Sequence, residues 1–170
     1  MAASYSGAMR IIESVPGIKQ LAALVILSEI GANMSVFHSA KHLCSWAGLA
    51  PCNDQSAGKK KSVRISRAGV YIKPVLVQCA NNAIKCKDFP HYRVRYEAIK
   101  LRRGHKKAII AIARMMLTAI YCMLSTGELF NPALYEKAKC KPGFVASSEE
   151  HAVKLLQRLG YSVVKLPESA

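Results

Sequence analysis

Acidic side chains are scarce in this sequence. Its 170 residues include 10 Asp and Glu against 25 Lys and Arg, a formal net charge of +15. An imbalance of that size in one small domain disfavours cationic partners and points to a polyanion. The carboxylates before residue 130 are Glu13, Glu29, Asp54, Asp88, Glu97 and Glu128. They are scattered, and no cluster among them is suited to hold paired magnesium ions. Paired cysteines are missing too. Cys44, Cys52, Cys79, Cys86, Cys122 and Cys140 form no C-x-x-C pair and no regular zinc spacing. Several lie in apolar helical runs, where cysteine acts as a small hydrophobe, so reduced thiols in a cytoplasmic protein are expected. Long apolar runs are also absent. Leu21 to Leu27 and Ala108 to Ala113 are too short to span a bilayer. The second continues past Arg114 to Leu124, but that arginine and Thr118 suit a core helix better. Met1 to Ser14 is not a charged segment followed by an apolar one, so no signal peptide is expected.

What is present supports a folded core. Hydrophobic residues make up 51% of the chain. A chain of this length buries about two-thirds of its unfolded surface. The charge is concentrated: Lys59 to Lys107 holds fifteen Lys and Arg and two acids, Asp88 and Glu97, a net of +13. Nucleic acid is the favoured partner. An anionic membrane surface is the runner-up, disfavoured because no basic amphipathic helix of the interfacial kind stands out.

Taken in order, Met1 to Gly7 is small and polar, and Ala8 to Ser14 reads as the end of a helix. Val15-Pro16-Gly17-Ile18 is a tight turn before a second helix, Lys19 to Ile30, apolar nearly all round and therefore expected to be buried. Helix, turn and helix have the outline of a helix-hairpin-helix. Such a turn, centred on Gly17, offers backbone N–H groups to a phosphate, or else it simply packs two core helices. Ser39 caps a short helix ending near Gly48. His38 and His42 stand four apart, a metal-compatible spacing, but no carboxylate sits at a matching offset and no metal site is assigned. Ala68 to Lys85 is expected to be helical, with Pro74 in its first turn. His91 to Arg103 is a basic helix in which Tyr92, Tyr96 and Ile99 recur at core spacing; tyrosines so placed also serve as base-stacking platforms. Gly104 separates it from the longest helix, Lys106 to Leu124. Arg114 inside that helix either snorkels or reaches a phosphate or carboxylate.

The fold class is therefore mostly α, a compact multi-helix domain over residues 8–132. An appendage follows over residues 133–170, with a capped helix from Ser148 to Leu159 and a strand from Tyr161 to Leu166.

The stretch Pro51 to Lys73 (PCNDQSAGKKKSVRISRAGVYIK) stands apart from these helices. A polar loop carries a central serine, Ser56, before Ala57 and Gly58. Lys59, Lys60, Lys61, Arg64 and Arg67 follow, then Lys73. A small flexible loop joining a hydroxyl to cations suits a phosphodiester: small residues allow close approach, and the cations offset phosphate charge. Arg102, Arg103, Lys106 and Lys107, around Gly104, are the other candidate DNA contacts. Ser66 is expected to cap the next helix.

Four segments give a more specific indication. SVPGIKQLAALVILSEIG (Ser14 to Gly31), FHSAKHLCSWAGLAP (Phe37 to Pro51), QSAGKKKSVRISRAG (Gln55 to Gly69) and GHKKAIIAIARMML (Gly104 to Leu117) occur in this order. Together they resemble the C-terminal domain of insertion-sequence 110 type transposases, relatives of the pilin-inverting DNA recombinases, over about Ile11 to Pro132. The resemblance implies that the serine after A-G-L-A-P, here Ser56, is the nucleophile that joins protein to DNA. The family commonly has Ser-Gly at this point, where this chain has Ser56-Ala57-Gly58. The resemblance further implies Mg2+ held by acidic residues of an N-terminal RuvC-like domain absent from this sequence, a homo-oligomer, and a guide RNA made by the element. On those terms the chain is half of a composite active site and is expected to be inactive alone. Two other readings stay open: a DNA-binding module in which Ser56 is only a loop residue, and an RNA-binding or ribosome-associated protein, which lacks a recognisable RNA-binding motif here.

Overall fold

The computed structural model describes residues 2–51, 54–56, 59–62, 65–133 and 156, with side chains described outside residues 2–4 and 54–62. The chain divides into two compact units, Met1–Asn131 and Pro132–Ala170. In the second, Leu156 is helical, and the rest of the expected helix and the strand of the appendage lie outside the described residues.

The first unit is mostly helical, as the periodic apolar pattern requires. Helix α1 spans Ala2–Glu13, so the small polar N-terminus is part of a helix. Helix α2 spans Gln20–Ile30, and a single 3-10 turn, Met34–Val36, follows. Helix α3 is Ala40–Trp46, with the Ser39 hydroxyl accepting from the His42 N–H at 3.2 Å, the expected N-cap. Helices α4 (Ile72–Ala83), α5 (His91–Arg103) and α6 (His105–Thr126) complete the body.

Helix α6 is the axis: α1, α3, α4, α5 and the 3-10 turn all pack on it. Its Ile112, Met116, Leu117 and Ile120 are fully buried, joined by Ile12 of α1, Leu43 of α3, Leu76 of α4 and Tyr92 of α5. At 22 residues and a mean hydropathy of 1.9, α6 is long and apolar enough to cross a membrane by length and composition. Here that apolarity is used by four helices packing round it. Tyr92 and Tyr96 are buried, so these tyrosines anchor the core rather than stack bases.

Two expectations need correcting. Helix α2 is not buried all round: its main packing partners are α1 and α4, and Leu21 is 75% and Leu24 54% exposed on its outer face. Helix α4 begins at Ile72, not Ala68. The residues before it form turns in which the Ser66 hydroxyl accepts from the Ala68 N–H at 3.2 Å. Ser66 thus closes a local turn and does not cap the helix.

The direction of the helices follows from a few contacts. Tyr121 Oη donates to the Phe37 carbonyl at 3.1 Å, and Cys44 Sγ lies 3.5 Å from Thr118 Oγ1. Helix α3 therefore runs antiparallel to α6, and its C-terminus points toward the N-terminal half of α6. At the other end, the Phe130 N–H donates to Ser14 Oγ at 2.9 Å, and the Phe89 and Phe130 rings meet edge-on at 5.1 Å. The Val15–Ile18 turn, the C-terminus of α4 and the chain just after α6 share this end.

Candidate nucleic-acid interface

The polar stretch after α3 contains a short antiparallel hairpin, β1 (Asp54–Ser56) and β2 (Lys59–Ser62). Asp54 pairs with Ser62, Gln55 with Lys60 and Ser56 with Lys59, with a bulge between Asp54 and Gln55. Pro51 and Ile65 form a further antiparallel bridge at its root. Ser56 is thus the last residue of its strand, directly opposite Lys59 across the ladder. Lys60 and Lys61 continue the partner strand. The pairing puts the serine at the turn end of the hairpin, with three lysines in the partner strand. Arg64 lies outside the described residues.

The root of the hairpin is built by two glycines. Gly48 has φ +66° and Gly69 φ +69°, a region where a side chain is strained. A methyl on Gly48 would strike the Ala68 carbonyl and the end of the Lys73 side chain, and one on Gly69 would strike the Ala47 carbonyl. The A-G-L-A-P and R-A-G segments therefore cross backbone to backbone. Lys73 Nζ donates to the Ser66 carbonyl at 2.6 Å, tying the same crossing to the first turn of α4. In the sequence Gly48 reads only as the end of a helix. Its pairing with Gly69 is a long-range contact that no local pattern signals.

Cations stand beside the crossing and at the corner between α5 and α6. Arg67 is exposed beside the crossing, and Lys73 is half-buried. Arg102 and Arg103 end α5, while Lys106 and Lys107 begin α6, all exposed around Gly104. A hydrogen bond of 2.7 Å between Tyr96 Oη and His105 Nδ1 fixes this corner. The arginines complement the negative end of the α5 dipole. The lysines oppose the positive end of α6, whose first turn carries no acid, so an anion there would relieve the repulsion. Among the described residues the single ion pair is Lys100 with Glu97, 3.7 Å apart and half-exposed, which water and salt largely screen. The corner cations have no carboxylate partner among the described residues.

Gly17 is placed elsewhere. With φ +90°, it packs on α4, where a methyl would come within 2.6 Å of the Ala83 N. The stretch of α4 from Lys73 to Ala83 is about 15 Å of helix, so this turn and the hairpin root sit at opposite ends of α4. No three His, Cys, Asp or Glu side chains among the described residues come together to hold a metal ion; His38 and His42, with ring centroids 5.7 Å apart, lack a third ligand. Cys44, Cys79, Cys86 and Cys122 are free thiols. Burial pushes the Cys79 thiol up to about 11, against a weaker lowering by a backbone hydrogen bond.

Comparison with known proteins covers this same region. The sequence model of the family described as Transposase IS116/IS110/IS902 matches residues 9–97. The pilin gene-inverting protein of Moraxella bovis is 29% identical over 135 residues, 74% of this chain and 39% of that protein. The transposase for insertion sequence element IS1111A of Coxiella burnetii is 26% identical over 122 residues, 70% of this chain and 33% of that protein. An uncharacterized 43.6 kDa protein of insertion element IS110 from Streptomyces coelicolor is 28% identical over 123 residues, 71% of this chain and 29% of that protein. The chain thus spans about two-fifths or less of the length of these relatives.

Proposed function

This chain belongs to the IS116/IS110/IS902 transposase family, and from that premise we propose that it is the serine-bearing C-terminal part of a DNA transposase or site-specific recombinase. The observation that carries the reading is the position of Ser56, paired with Lys59 beside the hairpin turn, on a root fastened to the helical body by Gly48 and Gly69. In the proposed step the Ser56 oxygen forms a bond to a DNA phosphorus and one phosphorus–oxygen bond to a deoxyribose breaks. The serine proton passes to a base, and the departing sugar oxygen takes up a proton. The resulting phosphoserine ester keeps the bond energy for rejoining.

Serine is a weak nucleophile at neutral pH and needs activation. The described residues of this chain do not fit a metal centre, so in this reading Mg2+ and the carboxylates that would hold it belong to a separate N-terminal domain. What this chain contributes is position and charge. The hairpin carries Ser56, and Lys59, Lys60, Lys61, Arg64, Arg67, Arg102, Arg103, Lys106 and Lys107 offset the phosphates. Assembly as a homo-oligomer in the cytoplasm, with a guide RNA made by the element, belongs to the same reading.

The test is Ser56→Ala in the longer protein. Strand exchange should vanish while DNA affinity stays within about threefold, since a hydroxyl adds no charge to the electrostatic term. Substantial recombination by that variant would end the assignment. The scattered carboxylates favour a second reading, a DNA- or RNA-binding module without catalysis. On that reading Ser56→Ala leaves every activity intact.

A further inference from the structure

Aromatic residues in this body follow two patterns. Tyr92 and Tyr96 are buried under α6, as large rings normally are. Tyr71, just before α4, is 71% exposed, and Val70 beside it is 69% exposed. Trp46, at the end of α3, is 41% exposed, with one side against Phe37 at a centroid distance of 5.7 Å. Tyr71 occupies the N-cap position of α4, yet its side chain makes no cap hydrogen bond. In sequence these two residues border the crossing described above: Trp46 precedes Ala47, and Tyr71 follows Gly69 by two residues.

We propose that Tyr71, with Trp46 across the crossing, forms a stacking site for unpaired nucleobases. The inference rests on the nucleic-acid reading of the hairpin. Charge selects the occupant: Lys59 to Lys73 holds six cations and no acid, and Arg67 and Lys73 flank the exposed ring in sequence. A partner must therefore be both anionic and able to cover a flat apolar face. Nucleic acid has both properties, but a duplex keeps its bases stacked inside, so only an unpaired or displaced base reaches Tyr71. A site of this kind beside the hairpin root would favour DNA opened near the phosphate under attack. It would prefer distorted or single-stranded substrate over relaxed duplex.

The experiment uses the whole 170-residue chain with a short single strand carrying 2-aminopurine and the fully paired duplex of the same sequence. Saturating the single strand should quench 2-aminopurine emission, and emission from Trp46, the one tryptophan, should fall in parallel. Tyr71→Ala should bind the single strand about tenfold more weakly and the duplex within about twofold of the parent chain. Tyr71→Phe keeps the ring and should match the parent on both. Tyr71 is exposed, so these variants leave the core intact, and circular dichroism confirms that each is folded. The proposal is overturned if Tyr71→Ala binds the single strand as the parent does, or loses both substrates equally. Unchanged 2-aminopurine emission at saturation also overturns it, and leaves the exposed rings to a protein partner. Failure of the underlying reading looks different: the parent chain itself would bind neither DNA in a salt-dependent way.

Discussion

Gly17 at one end of the body and the Gly48–Gly69 pair at the other are both places where a positive φ lets a second backbone come close. Their surroundings differ. Around Gly17 the neighbours are Val15, Ile18 and Ala83, all buried, and the close approach seals one end of the core. Around Gly48 and Gly69 the approach roots a hairpin of serine and lysines, with exposed cations beside it. The same backbone device closes a core contact in one case and holds the root of a hairpin in the other. A glycine marks a close contact, and what surrounds that contact differs between the two ends, apolar residues at one and polar and cationic residues at the other.

The largest effect that would break this comparison comes from alanine at each site. Gly17→Ala should destabilise the fold by about 2–4 kcal/mol, from left-handed strain plus the clash with Ala83. Strand exchange per folded molecule of the longer protein should change little. Gly48→Ala or Gly69→Ala should also cost stability, but in addition shift the hairpin and cut exchange by about 100-fold, the usual result of misplacing a nucleophile by an ångström. Urea unfolding beside a recombination assay separates the two. Equal loss of exchange at both ends would show that the turn at Gly17 also takes part.

Salt dependence sharpens the comparison next. If about five to eight cations of the Lys59–Lys107 segment reach phosphates, log K against log salt should have a slope of about −4.5 to −7. Glutamine at Arg102, Arg103, Lys106 or Lys107 should flatten it by about 0.9 for each phosphate that is no longer neutralised. Lys19→Gln, beside the Gly17 turn, should leave the slope unchanged. A flat salt dependence in the parent chain would remove the nucleic-acid reading.

Lys73 should show a smaller effect. Its ammonium is held by the Ser66 carbonyl at the crossing. Lys73→Met should therefore change the slope by less than about 0.9, the value for one neutralised phosphate, while loosening the hairpin root. A slope flattened by that full amount would return Lys73 to the DNA-contacting set. The smallest effect is on the thiols. Alkylation proceeds through the thiolate, and burial pushes Cys79 up to about 11 while Cys122 is exposed. At about pH 8, near the pKa of an ordinary thiol, Cys122 should be modified well before Cys79. Peptide mapping would register that difference, and unfolding would abolish it.

Much of the body was legible in sequence because its helices carry strong apolar periodicity. The start of α3 and the boundary between α5 and α6 follow from Ser39 and Gly104, residues whose local chemistry caps or ends a helix, while α6 runs two residues past the expected Leu124, to Thr126 before Gly127. The hairpin was not legible. Asp54–Ser56 and Lys59–Ser62 are short and polar, without alternation or β-branched residues, and their pairing depends on a root made elsewhere. Helix α2 looked buried because composition cannot count neighbours, and Leu21 and Leu24 face away from both of its partners. Ser56 is singled out as a candidate by the order of four sequence blocks more than by its polar, cationic loop.

The bridge between Pro51 and Ile65 means that the chain leaves the helical body and returns to it at a single point. Topologically the hairpin is an insert, and the helices on either side are joined as if it were absent. Its length is nearly free to vary: doubling a closed loop costs only about 0.6 kcal/mol in chain entropy, less than most core substitutions. Hairpins of different reach can therefore be exchanged on one unchanged scaffold like interchangeable heads on a common handle, without the helices below having to adapt.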